Sequence, residues 1–450
     1  MDDPVQYFNS LPMFGSGEGF KPGLERVARL LESTNFSDNN LEFIHVAGSN
    51  GKGSVIAMLE AIFSRAGFSV GRYISPHIID FSERIKCSGS FITREELSSL
   101  AAELKQLVER QELWQDIGNP TFFEVVTAAA LLYFSREEPD LVLLETGLGG
   151  RLDATNIITS PAAAVITTVD LEHTRYLGST LAEIAREKAG IIKPDSLVIT
   201  GEDKQEPRRV IEEVARNNRA RLYNSSQFFQ FKLLQQDLAG QNFQFLSGTA
   251  APPFAEQTDL YCSRELFLPL NGRYQLENAR LACAVTALLQ NKFPVNGQAV
   301  AAGLAATSWP GRLEVVRSSP PVIIDGSHTP TGMEYLVQFL QDHFSRKERI
   351  TIILAVMRDK DLNKIIDILD FRQDNLQIIL TSSKASRAFH PEKKTGNWSE
   401  RVFLKSEISL WQLVRESLEN QQEDEVICLT GSLYNLLEIR NDLLKLVAER

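Results

Sequence analysis

Phe43-Ile44-His45-Val46-Ala47-Gly48-Ser49-Asn50-Gly51-Lys52-Gly53-Ser54 decides the architecture. The apolar run 43–47 reads as a buried strand, and the residues from Ser54 to Ala66 read as a helix. Between them lies a glycine-rich turn. Glycines let backbone N–H groups wrap a phosphate, and the helix N-terminus adds partial positive charge. Lys52 is placed to reach β and γ phosphates, and the Ser54 hydroxyl to reach Mg²⁺. The spacing is a variant of GxxxxGK[ST]. Gly53 separates lysine from serine, and only two residues separate Gly48 from Gly51. The bland reading is a glycine-rich turn with an exposed lysine. A strand before it and a helix after it favour the phosphate loop.

Outward from this loop the pattern repeats. Asp140–Glu145 and Ala163–Thr168 read as strands, with a helix from about Thr180 to Ile191. Strands alternating with helices imply a mostly parallel sheet covered on both faces, with ligands at the carboxyl ends of its strands. From about Leu222 to Leu270, Phe229, Phe231 and Leu233 alternate with polar residues, and Phe243 and Phe245 follow Ala239-Gly240. This is the pattern of an antiparallel hairpin. A helix from about Gln275 to Leu289 follows, then Pro294–Gly297 as a candidate hinge. Beyond it βα alternation resumes, with strands at 322–325, 350–356, 376–381 and 426–430. The fold class is therefore α/β. The expected parts are a P-loop domain over 1–295 with a small antiparallel sheet, and a smaller Rossmann-like domain over 296–450. Two α/β domains at a hinge are expected to form a ligand cleft.

Composition excludes several classes. The 450 residues carry 47 basic and 58 acidic side chains, so the net charge is −11, which is wrong for a nucleic-acid binder. No apolar run is long enough to span a membrane, and the acidic start Met1-Asp2-Asp3-Pro4 lacks a signal-peptide pattern. Cys87, Cys262, Cys283 and Cys428 are scattered, which suits a reducing cytoplasm. A cytoplasmic monomer is expected.

Three further strand ends carry candidate ligands. Ser75, in Tyr73-Ile74-Ser75-Pro76-His77, offers an oxygen, although such a segment alone is more often a turn. Glu145 ends an apolar strand and enters Thr146-Gly147-Leu148-Gly149-Gly150-Arg151-Leu152-Asp153-Ala154-Thr155-Asn156. A carboxylate there suits a hard cation beside phosphates. His173, in Asp170-Leu171-Glu172-His173, is weak evidence alone and gains weight from its place at another strand end. By composition Lys188 is a solvated helical lysine, and an ammonium repels Mg²⁺. Arg84, Arg151 and Lys193 are candidates for a local positive patch or plain surface charge.

Taken in order, these stretches resemble the folylpolyglutamate synthase/dihydrofolate synthase family of the Mur-ligase superfamily, in its bifunctional bacterial form. The carrying motifs are 48–54, Ser75-Pro76-His77, Ser82-Glu83-Arg84-Ile85, Thr121-Phe122-Phe123-Glu124, 145–156 and the His173 and Lys188 segments. Gly272–Ala279, Trp309–Glu314, Asp325–Pro330 and Asp359-Lys360-Asp361 complete the set. The resemblance implies an ATP-dependent amide ligase that adds L-glutamate to dihydropteroate and/or (tetrahydro)folate through an acyl phosphate. It implies ATP on Asn50, Gly51, Lys52, Gly53 and Ser54, with Asn278, Arg312 and Asp325 also holding nucleotide. Two Mg²⁺ ions would use Ser54, Ser75, Glu145, His173 and a carbamylated Lys188. Phe122, Phe123, Glu124, Leu152, Asp153, Ala154 and Arg84 match the pterin-binding segments. His328 matches a histidine near the incoming amino acid, and Lys52, His173, Lys188 and His328 form the catalytic set. Ser327 and Thr329 depart from the usual Asp-Gly-Ala-His-Asn-Pro, and Ser49 replaces a usual threonine. Two rivals are weaker. A Mur-type cell-wall ligase predicts a third N-terminal domain, and only 47 residues precede Gly48. A GTPase-like switch needs Asn-Lys-x-Asp, and Asp359-Lys360-Asp361 lacks the asparagine.

Overall fold

The computed structural model describes residues 3–13, 23–77, 79–249, 264–344, 348–371, 375–384, 388–391 and 398–448. The hairpin reading over 250–263, with Cys262, lies outside them. The chain divides into two compact units. The first comprises 1–232, 244–266 and 277–306, and the second 233–243, 267–276 and 307–450. The boundary expected at 295/296 is thus one helix short of the last crossing.

In the first unit the strands are β1 (Phe43–Ala47), β2 (Val70–Tyr73), β3 (Ile85–Cys87), β4 (Ser90–Phe91), β5 (Leu141–Glu145), β6 (Ala163–Ile166), β7 (Leu197–Thr200) and β8 (Arg221–Asn224). They form one sheet in the order β4-β3-β2-β5-β1-β6-β7-β8. The pairs from β2 to β8 run parallel, while β3 and β4 add antiparallel pairs at one edge. The runs β1, β5 and β6 are buried at every position, as a sheet covered on both faces requires.

The helices of this unit include α1 (Pro4–Ser10), α2 (Glu25–Glu32), α3 (Lys52–Arg65), α4 (Arg94–Val108), α5 (Phe122–Glu137), α6 (Thr174–Leu177), α7 (Leu181–Ala189) and α8 (Gln205–Asn217). Four of these, at Pro4, Arg94, Phe122 and Leu181, start where a side chain satisfies a free N–H group. Thr93, Thr121 and Thr180 cap α4, α5 and α7 with reciprocal glutamates at Glu96, Glu124 and Glu183. α1, α2, α4 and α5 pack with Phe43, Tyr73, Val142 and Leu144 in one core. α7 and α8 pack with Ala164, Ile166 and Val198 in another. α9 (Tyr274–Leu288) and α10 (Gly297–Ala305) follow. A Cβ at Gly303 of α10 would lie 2.5 Å from the Ile62 Cα of α3, so only glycine permits that close approach.

The expected hairpin is present as β9 (Phe229–Asp237) and β10 (Gly240–Ser247), which join β11 (Glu265–Leu268) in a small antiparallel sheet. The second unit holds β12 (Glu314–Ser318), β13 (Pro321–Ile324), β14 (Arg349–Leu354), β15 (Leu376–Leu380), β16 (Val402–Leu404) and β17 (Glu425–Thr430). Their order is β12-β13-β17-β14-β15-β16, with β12 the antiparallel edge. Alternation splits this sheet between two cores. Ile323, Ile352, Ile378 and Cys428 face α11 (Pro330–His343) and α12 (Leu362–Leu369). Val322, Ile353, Ile379 and Ile427 face α13 (Leu410–Glu419) and α14 (Leu433–Ala448).

Candidate active site

Register brings the expected strand ends together. Tyr73 pairs with Leu144, Val46 with Glu145, and Ala47 with Ile166. The loops leaving β2, β5, β1 and β6 therefore emerge side by side at the carboxyl edge of the sheet. That is the topological place for a ligand in an open α/β sheet.

The phosphate loop is braced from β6. Ser49 N–H donates to the Thr168 carbonyl at 2.7 Å, and Thr167 Oγ1 donates to the Asn50 carbonyl at 2.5 Å. Asn50 Nδ2 donates to Asp170 Oδ2 at 2.8 Å, and Lys204 Nζ holds the other Asp170 oxygen at 2.7 Å. Gly51 caps α3 in the left-handed region at φ 86°, with no side chain on the helix's first N–H groups. A Cβ there would sit 2.4 Å from Asn278 Oδ1, so Gly51 and Asn278 are neighbours as expected. Lys52 Nζ donates to the Gly48 carbonyl at 2.8 Å, which curls the ammonium over the loop. Gly53 and Ser54 lie buried in the first turn of α3.

Glu145 ends β5 nearly buried and accepts the Ser75 N–H at 3.1 Å. Lys188 is not the solvated lysine its composition suggests. It is 1% exposed, and its Nζ meets Glu172 Oε1 at 2.6 Å. Burial lowers the Lys188 pKa, against the pull of Glu172. For Glu172, burial raises the pKa, but Lys188 and Lys52 outweigh it and hold the carboxyl at about 2. His173 is exposed, at φ 45°, at the start of the short helix α6. The acids flanking it, Asp170 and Glu172, hold the loop and the lysine. Sequence reasoning singled out the histidine and passed over these two acids, although the same strand end displays them.

These donors fit a hard divalent cation. Ser54 and Ser75 carry hydroxyls and Glu145 a carboxylate, the oxygen chemistry such an ion takes. Among the described residues no three His, Cys, Asp or Glu side chains converge as a metal site of their own. Mg²⁺ fits such a place because it takes one or two carboxylates and completes its shell with substrate phosphates. Lys188 as an ammonium does not fit as a ligand, since its protons point to Glu172.

The acceptor-binding candidates also cluster. Arg84 is buried, not surface charge, and lies over Phe81 and Phe122, 5.6 and 5.3 Å from their ring centroids. Its Nε–H donates to His77 Nδ1 at 2.9 Å. Burial and then Arg84 lower the His77 pKa to about 4. Phe123 rests on the 147–156 loop, where a Cβ at Gly147 would lie 2.4 Å from its Cζ. Two residues expected at the ligand, Glu124 and Asp153, have internal partners. Glu124 accepts both Arg26 Nε bonds at 3.0 Å and the Thr121 N–H at 2.7 Å. Asp153 accepts from Gly147 N, Leu148 N, Thr155 N and Thr155 Oγ1. Burial raises the Asp153 pKa despite those bonds. Leu152 is half-buried and Ala154 buried beside it. Arg151 pairs with Glu187, and Lys193 donates to the Asn156 carbonyl, so the proposed three-residue patch has three separate settings.

In the second unit, Asp325 is buried, with Oδ2 accepting from Leu313 N–H and Oδ1 from Ser327 N–H, both at 3.0 Å. Arg312 and His328 are half-buried. Thr329 caps α11 by accepting the Gly332 N–H at 3.2 Å, with Pro330 next. Its departure from asparagine thus keeps a good cap, since threonine and asparagine both serve there.

The Mur ligase middle domain matches residues 46–286, and the Mur ligase glutamate ligase domain matches 311–433. A dihydrofolate synthase/folylpolyglutamate synthase of Bacillus subtilis is 33% identical over 438 residues, covering 94% of this chain and 96% of its own. An FPGS solved as a complex with AMPPCP and folate superposes with a TM-score of 0.80 at 30% identity, covering 98% of each chain. A bifunctional folylpolyglutamate synthase/dihydrofolate synthase with Mn, AMPPNP and L-glutamate gives 0.76 at 29% identity, covering 98% of this chain and 97% of its own. Matched over nearly its whole length, with its strand ends and phosphate loop in place, the chain belongs to the dihydrofolate synthase/folylpolyglutamate synthase family of Mur ligases.

Proposed function

We propose that this chain is an ATP-dependent carboxylate–amine ligase that joins L-glutamate to a pterin-linked acid, dihydropteroate or a reduced folate. One observation carries the reading. The uncapped N-terminus of α3, with Lys52 curled over its loop, lies at the same sheet edge as Glu145 and Ser75. The relatives named above supply the substrate class.

A carboxylate acylates amines poorly, because oxide would have to leave. Moving the γ-phosphoryl of ATP onto it forms an acyl phosphate and releases ADP. The α-amine of glutamate then forms the amide, and phosphate and a proton are released. Both partners of the first step are anionic, so its barrier is largely electrostatic. The backbone N–H groups of Gly51, Lys52 and Gly53 would hold the phosphates, with the Lys52 ammonium offsetting charge. Ser54, Ser75, Glu145 and His173 are the residues assigned to Mg²⁺, which when bound polarises the phosphoryl oxygens. CO₂ addition to the Lys188 amine, with loss of a proton, would turn it from a cation into an oxygen donor. Burial favours the neutral amine that this step needs. Asn278, Arg312 and Asp325 are assigned to the nucleotide side. Arg84, Phe122, Phe123, Leu152 and Ala154 are assigned to the acceptor, with Glu124 and Asp153 holding those segments in place. His328 is assigned as the base for the amine. We also read the protein as a cytoplasmic monomer. Among the described residues no helix is long and apolar enough to cross a membrane.

The test is phosphate release from ATP with glutamate plus dihydropteroate, and with glutamate plus tetrahydrofolate. Release is expected only when all three substrates and Mg²⁺ are present, and to slow when bicarbonate is stripped out. ATP turnover indifferent to the pterin would sink the proposal.

A further inference from the structure

Arg312 stands out within the second unit. Among the described residues, none accepts a hydrogen bond from its guanidinium. Its backbone, by contrast, is tied on both sides. Gly311 is left-handed at φ 71°, its carbonyl accepts the Gly326 N–H at 2.7 Å, and its N–H donates to Glu314 Oε2 at 2.8 Å. Leu313 is left-handed at φ 46°, a conformation that costs a bulky residue energy and persists only when its surroundings impose it. The surroundings are Asp325 Oδ2 on its N–H at 3.0 Å and Asn271 Nδ2 on its carbonyl at 3.1 Å. Glu314 is gripped in turn by Arg440 of α14, NH2 to Oε1 at 2.5 Å and Nε to Oε2 at 3.3 Å. Both side chains are largely buried, 12% and 22% exposed.

We propose that the Arg440–Glu314 ion pair is a latch that positions Arg312. Arg440 fixes Glu314, Glu314 fixes the Gly311 N–H, and Asp325 holds Leu313 from the other side. The backbone on both sides of Arg312 is thereby set before any ligand arrives. A cation on a fixed backbone loses less freedom on binding an anion than one on a mobile loop. Arg440 and Glu314 are therefore positioning residues, and this role rests on the assignment of Arg312 to the nucleotide. The sequence motif Trp309–Glu314 showed the arginine but not its latch, because Arg440 lies 126 residues beyond Glu314.

The experiment measures KM for ATP and kcat in Arg440→Met, Arg440→Lys, Arg312→Met and the Arg312→Met/Arg440→Met double variant. Arg440→Met is expected to raise KM for ATP about tenfold with kcat little changed. Arg440→Lys, which keeps one ionic contact, should recover most of that loss. In the Arg312→Met background the Arg440 change should have no further effect on KM, whereas simple loss of folding would add. Should Arg440→Met fail to fold, Glu314→Gln reads the same quantity with shape retained. If Arg312→Met leaves KM for ATP unchanged, the nucleotide assignment falls and the latch with it. If Arg312→Met raises KM and neither Arg440→Met nor Glu314→Gln does, the latch alone is overturned.

Discussion

His45 shows how a single side chain departs from what its letter suggests. It sits in the middle of β1, fully buried, with Nε2 and Thr155 Oγ1 2.8 Å apart and Nδ1 unpartnered among the described residues. Burial, and then Lys193, pushes its pKa from 6.5 down to about 3. The folded state thus keeps it neutral where the unfolded chain takes up a proton. Stability is unaffected above the ordinary histidine value. It falls as the pH drops from about 6.5 towards about 3, with a slope of up to about 1.4 kcal/mol per pH unit from this residue. Urea unfolding of the protein at pH 7, 6 and 5 should show that slope, and His45→Gln should flatten it by a comparable amount. An unchanged slope in the variant would mean that His45 is not held neutral by folding.

At the scale of elements, the start of α5 carries a buried ion pair. Glu124 closes the capping box with Thr121 and also takes Arg26, with side-chain exposures of 7% and 6% for the pair. Removing one partner of a buried pair leaves the other charge uncompensated, which costs about 3–5 kcal/mol. Glu124→Gln keeps the size and the capping oxygen, so it isolates the charge. It should destabilise by about 3 kcal/mol in urea. Replacing both partners, Arg26→Met with Glu124→Leu, should cost less than that single change. A loss below about 0.5 kcal/mol for Glu124→Gln would show that the pair is not the anchor described here. The same element shows why the Thr121–Glu124 motif was easy to find and hard to interpret. A capping box is visible within four letters, but Arg26 lies 98 residues away and leaves no local mark.

Across the whole molecule, the buried strands were legible because β1, β5, β6, β14 and β17 are mostly apolar, with polar residues few enough not to hide the run, and the phosphate loop because its glycines have a local purpose. The edges were not: β3, β4 and β16 span only two or three residues, below any periodic signal. Nor was the division into units, because the chain passes between them several times and no single linker marks the change. Of the candidate site, Ser75 and Glu145 were readable as strand ends, while the contact between them, Ser75 N–H to Glu145 at 3.1 Å, depends on the pairing of β2 with β5, which no local signal shows. Each unit has cores of its own, Val142 and Leu144 among the first unit's and Ile352 and Ile353 among the second's, so calorimetry should resolve two transitions. A non-hydrolysable ATP analogue with Mg²⁺ at about 100 times its Kd should stabilise the unit carrying the phosphate loop by about 2.7 kcal/mol. Lys52→Ala should abolish that gain while leaving the ligand-free transitions nearly in place, because Lys52 makes one bond to the Gly48 carbonyl and no core contact, and Lys188 remains to neutralise Glu172. A shift that survives in Lys52→Ala would move the nucleotide away from the loop between β1 and α3, and an absent shift in the unaltered protein would remove ATP from its chemistry altogether.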